Sequence, residues 1–144
     1  MKPAQPGSIY VWRYVDADRS YVGWHLSGDA RGCAALIAAL DALALAPDGR
    51  RRKLVTVAPP PSTLAVPGCR KPARWAHTLV LGVDRAQPRR FALAEDNGVV
   101  TLAVGEARLD ELRDRVEDIP RGGGDVAMSS DDRSAADQRL WFWW

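Results

Sequence analysis

His25, Cys33, Cys69 and His77 are the residues of this chain best equipped for chemistry. Imidazole and thiolate bind zinc, and a thiolate activated by an imidazole attacks carbonyl carbon. Their spacing favours neither use. A structural zinc site draws its ligands in close pairs such as Cys-x-x-Cys, and the sequence contains none. Cys33 falls on the apolar stripe of a helix, where a thiol packs as a small hydrophobe. Neither cysteine sits at an activating helix N-terminus or in a recognisable protease context. No catalytic residue, metal ligand or cofactor is expected.

Two further constellations fail for physical reasons. Gly122-Gly123-Gly124 follows a helix, whereas a phosphate cradle precedes one and offers the anion the helix's N-terminal N–H groups. Asp125, Asp131 and Asp132 lack the spacing and closing glutamate of a calcium-binding loop. Both read as solvated loop.

Basic residues do cluster. Arg50, Arg51, Arg52 and Lys53 precede a strand, and Arg70, Lys71 and Arg74 lie beside Trp75 in a proline-rich stretch. Arginine next to an aromatic ring can grip a phosphate backbone and stack a base. Loop cations solvated by water are the plainer reading, and the net charge of only +2 supports it. An anion- or nucleic-acid-binding module built on these two clusters therefore ranks second among functional readings. Protein–protein recognition ranks first. Small bacterial regulatory, accessory or immunity-type proteins share this profile, a comparison made at the level of class alone.

The elements that must position these residues follow from periodicity. At 144 residues, 47% hydrophobic and 26% charged, the chain suits one globular domain over 1–144. Residues 1–7 read as flexible, and 59–75 and 120–139 as long loops. The N-terminus has no signal-peptide core and no stretch is long enough to span a membrane, so a cytoplasmic protein with reduced thiols is expected.

Ile9 to Val15 and Tyr21 to Leu26 alternate as two strands of a hairpin. Pairing Val15 with Tyr21 puts Tyr10, Trp12, Tyr14, Val22, Trp24 and Leu26 on the core face. After Ser27-Gly28-Asp29, with Ser27 or Asp29 as N-cap, Cys33, Leu36, Ile37, Leu40, Leu43 and Ala44 recur at helical spacing until Pro47-Asp48-Gly49. Leu54 to Ala58 and His77 to Val83 are strands, the second apolar on both faces and so central.

Asn97-Gly98 predicts a type I′ turn pairing Asp96 with Val99. That register sets Phe91, Leu93, Val100, Leu102 and Val104 on one face and Ala92, Ala94, Thr101 and Ala103 on the other. Glu106 to Ile119 is a helix with Leu109, Leu112, Val116 and Ile119 inward, and Asp125 to Met128 suits a short strand. The chain ends on Leu140-Trp141-Phe142-Trp143-Trp144. Four aromatic side chains together rival the net stability of a domain, so this tail is expected to be a covered strand rather than an exposed hook. The sum is an α+β fold, a mostly antiparallel sheet of hairpins packed with two amphipathic helices and closed by an aromatic strand.

Overall fold

The computed structural model describes residues 7–14, 23–47, 49–60, 63, 73–122, 126–129 and 139–143. Among the described residues, nine strands form two sheets, packed with two helices in an α+β arrangement. In chain order the elements are β1 (Ile9–Tyr14), β2 (Trp24–Gly28), α1 (Ala30–Leu45), β3 (Arg51–Val55), β4 (Ala73–Trp75) and β5 (Thr78–Asp84). There follow β6 (Phe91–Asp96), β7 (Val99–Gly105), α2 (Leu109–Asp118), β8 (Val126–Met128) and β9 (Leu140–Phe142). Short 3-10 turns flank α2 on both sides. The five-stranded sheet runs β4-β1-β2-β9-β8, and the four-stranded sheet β3-β5-β7-β6.

The helices form for the reasons their sequences suggest. α1 is rich in alanine and leucine, the residues that lose least on entering a helix. Asp29 caps it, its carboxylate accepting from Gly32 N at 2.7 Å and from Ser8 N at 3.0 Å. Gly32 is needed there, because the Ser8 carbonyl occupies the space a Cβ would take. Leu36, Leu40 and Leu43 are buried against the core, whereas Ala44 turns outward. α2 buries Leu112 and Val116, with Ile119 on the turn beyond it and Leu109 packed at the margin. The helices pack on each other, and α1 also touches β2, β3 and β5. It thereby joins the two sheets through one continuous core.

The first hairpin departs from expectation by one residue. Ile9 pairs with Gly28 and Trp12 with His25, not Val15 with Tyr21. A slip of one inverts one strand relative to the other. Ile9 and Val11 therefore join Trp24 and Leu26 in the core, while Trp12, His25 and Ser27 lie on the opposite face. Residues 15–22, which hold the expected turn together with Tyr21 and Val22, lie outside the described residues.

The aromatic tail is a covered strand. β9 runs parallel to β2 and antiparallel to β8, so neither of its edges is open. Leu140 and Phe142 enter the core and Trp141 points to the other side; Trp144 lies outside the described residues.

Boundaries also move. The expected strand Leu54 to Ala58 is observed as Arg51–Val55, so Arg51 to Lys53 belong to it and Thr56 to Ala58 do not, and residues 73–75 of the expected long loop form β4 on β1. β4 and β5 are one bent stretch that changes sheets. Ala76 N donates to Val11 O, whereas His77 N donates to Gly98 O and Thr56 N to His77 O. The buried hydroxyl of Thr56 donates to Ala76 O at 2.7 Å, satisfying the carbonyl at the corner. The second hairpin keeps the expected register, with Asn97 and Gly98 both at positive φ. Gly98 is doubly constrained, since a Cβ there would also run into the His77 ring.

Candidate functional site, the basic edge and outer face of the four-stranded sheet

The four-stranded sheet turns Leu79, Leu81, Phe91, Val100, Leu102 and Val104 toward the helices. Its pairing assembles the other face in rows. Arg51 lies beside Gly82, Ala103 and Ala92; Lys53 lies beside Val80, Thr101 and Ala94. A third row joins Val55, Thr78, Val99 and Asp96. Strand alternation dictates this, because successive side chains point to opposite faces, and most core positions are followed by a small or polar residue. The result is a shallow surface floored by glycine, alanine, threonine and valine, with Val80 buried in its middle row, cations along the β3 edge and Asp96 at the far corner.

Two depressions lie on that surface. One of about 310 Å3 is lined by Arg50, Arg51, Gly82, Asp84, Arg90 and Ala103 among others. The other, about 560 Å3, is lined by Arg51, Arg52, Lys53, Val80, Val99 and Thr101. Sharing Arg51 and Thr101 with its neighbour is not accidental: both depressions follow β3 where the floor is small. Arg51 and Thr101 differ in role, however, since only Arg51 and Lys53 bring charge to the same face of β3. A third depression of about 310 Å3 opens on the helix side of β3, between Arg50, Arg51, Arg52 and the end of α1.

The electrostatics of these four cations differ from those of the arginines held in ion pairs. Arg50, Arg51, Arg52 and Lys53 are exposed, and no side-chain ion pair or hydrogen bond links any of them to a described residue. Several other described arginines have carboxylate partners. Arg74 meets Glu95 at 3.3 Å, Arg85 meets Glu106 at 3.0 Å and Arg113 meets Asp41 at 3.1 Å. Within the first depression Arg90 is neutralised by Asp84 at 3.1 Å. The backbone N–H of Gln87 and the Arg90 side chain together hold the Asp84 carboxyl below its ordinary pKa. Arg85 also donates to the carbonyls of Leu43 and Ala44, tying the end of β5 to the last turn of α1. Charges on an edge strand already serve to block edge-to-edge pairing. Here they also rim a depression.

The expected site residues divide between the sheets. Arg50 to Lys53 stand at β3, whereas Arg74 and Trp75 stand on β4, at the edge of the five-stranded sheet. Trp75 is 52% exposed. Arg70 and Lys71, like Cys69, lie outside the described residues. Lys53 pairs with Val80, six residues beyond Arg74 along the bent β4–β5 stretch, and this separates the described parts of the two clusters.

The thiol and imidazoles are engaged elsewhere. Cys33 is buried, its Sγ 3.7 Å from Gly28 O, and burial pushes the thiol up to about 11. His77 is exposed and bridges its neighbour Thr78 and the Asn97 carbonyl of the hairpin turn. His25 is 0% exposed and stacked between Trp12 and Trp141, at ring-centroid distances of 5.4 and 6.5 Å. Burial lowers its pKa to about 4, with backbone hydrogen bonding at Gly23 and Trp12 opposing the shift. Among the described residues no group of three His, Cys, Asp or Glu side chains is placed to hold a metal ion. No described helix is long and apolar enough to cross a membrane.

Sequence reasoning found the cations and the small face of the β6–β7 hairpin separately. It missed that β3 would bring them together, because pairing between distant strands leaves no local signal. Comparison with known protein families, with curated proteins and with solved structures finds no match.

Proposed function

We propose that this chain is a small non-enzymatic binding protein that recognises another protein through the outer face of its four-stranded sheet. One observation carries the reading. β5 and β7, the two central strands, run parallel, and parallel strands are characteristically covered on both faces. In this chain the helices cover one face, while Gly82, Val99, Thr101 and Ala103 stay half-open on the other. A half-open floor with a charged rim has the two parts of a recognition surface, an inner area for apolar contact and rim charge for orientation.

An anion- or nucleic-acid-binding module is the second reading, and the uncompensated cations of β3 favour it. Base stacking needs an aromatic ring beside the cations. The outer face carries none among the described residues, and Trp75 stands on the other sheet.

Affinity capture tests the two. Wild-type protein should retain a defined protein partner at moderate salt, and Thr101→Arg, folded by circular dichroism, should lose it. Retention by the variant would refute the surface. Uniform loss of everything bound as salt rises would favour the polyanion reading.

A further inference from the structure

Resting on that reading, we infer that the partner presents an extended acidic segment, which lies along β3 with alternate carboxylates seated at Arg51 and Lys53. The two cations are two residues apart on one strand and share its outer face, so they stand about 6.6–6.8 Å apart along the strand. An extended segment repeats its side chains at the same interval, and its carboxylates therefore meet the cations in register. A helix brings carboxylates four residues apart to about 6 Å along its axis, a looser match, and only an extended segment repeats alternate side chains at the strand's own interval.

The floor beside the cations suits a close-lying chain. Gly82 has no side chain, and the nearest atom to a Cβ there would be Arg51 Cγ at 3.8 Å. Arg51 therefore flanks the open floor instead of standing clear of it. Ala103 and Thr101 continue the floor away from β3. Charge complementarity selects the occupant. Arg50, Arg51 and Lys53 have no carboxylate among the described residues, whereas Arg90 at the end of the same depression is already neutralised by Asp84. The surface thus offers uncompensated positive charge along β3 and not around its whole margin.

Four probes test this by titration calorimetry at low salt. They are a peptide alternating glutamate and threonine, a peptide of the same composition with its glutamates in one block, inorganic phosphate, and a single-stranded DNA oligonucleotide. The alternating peptide should bind best. Arg51→Ala with Lys53→Ala should weaken it about tenfold, the combined worth of two solvent-screened pairs. Arg113→Ala with Arg121→Ala, on the helical side, should leave it unchanged. Equal binding of the block peptide, binding of phosphate or DNA as tight as that of the alternating peptide, or indifference to the β3 variant would each overturn the inference. If Thr101→Arg abolishes partner capture while the β3 double variant keeps it, the surface stands and only the acidic segment falls.

Discussion

His25 stacks on Trp12 across the β1–β2 pair, their ring centroids 5.4 Å apart and their planes 23° from parallel. Trp141 continues the row on β9, opposite His25 in the parallel register. The same row reaches Trp75 on β4, so one line of aromatic and imidazole rings crosses four strands. This line lies on the face of the five-stranded sheet turned away from the main core.

The buried imidazole makes stability depend on pH. Its pKa is about 4 in the fold and 6.5 in a free chain, so between these values the unfolded state binds a proton that the folded state refuses. The contribution is complete above pH 6.5 and is lost as pH falls through 4, an effect of about 3 kcal/mol. Urea midpoints measured across that range should fall with pH for wild type and much less steeply for His25→Phe. Asp29 and Asp84, whose carboxyls are held below 3.8, act in the same direction in a lower window and do not mask it. Equal slopes for the two proteins would show that His25 is not the titrating group.

The C-terminal strand should be indispensable. Phe142 is 1% exposed, in a strand paired on both edges. Phe142→Ala is expected to cost about 3–5 kcal/mol in chemical denaturation, a large share of a typical domain's stability. Deleting residues 140–144 should leave the chain unfolded or insoluble. A truncated protein with an unchanged melting temperature would contradict the fold described here.

The Asp29 cap holds two backbone N–H groups, one in the first turn of α1 and one at the entry to β1. Asp29→Ala should destabilise by about 0.5–2 kcal/mol, and Asp29→Asn by less because the amide oxygen still accepts. Equilibrium unfolding of the two variants side by side measures the difference.

Gly98 tests the hairpin. Its φ of +82° and the adjoining His77 ring both oppose a side chain. Gly98→Ala should cost more than about 1 kcal/mol, whereas Gly49→Ala, at a similar φ in open space, meets only the backbone penalty. Comparable losses in the two variants would show that the His77 contact does not matter.

Where the pattern was local, the fold was legible in the sequence. Asn97-Gly98 announced a turn whose geometry permits one register, and the leucine spacing of α1 announced its buried face. The tail was legible through burial alone, since Phe142 has no stable exposed alternative. The first hairpin was not, because β1 carries large side chains on both faces and alternation could not choose between two registers a residue apart. The candidate surface was half legible. Arg51 and Lys53 stood out by charge, and Thr101 and Ala103 by alternation. Their meeting depends on β5 lying between β3 and β7, a long-range pairing with no counterpart in the local sequence.

The claim that the outer face of the four-stranded sheet binds a protein is tested most directly by site-specific photocrosslinking. A photoreactive residue at Thr101, in the middle of that face, is compared with one at Asp114, exposed on α2. A discrete protein adduct at position 101, absent at position 114 and competed away by unlabelled wild type, is the predicted result. Identical adducts at both positions, or none at position 101, would contradict it.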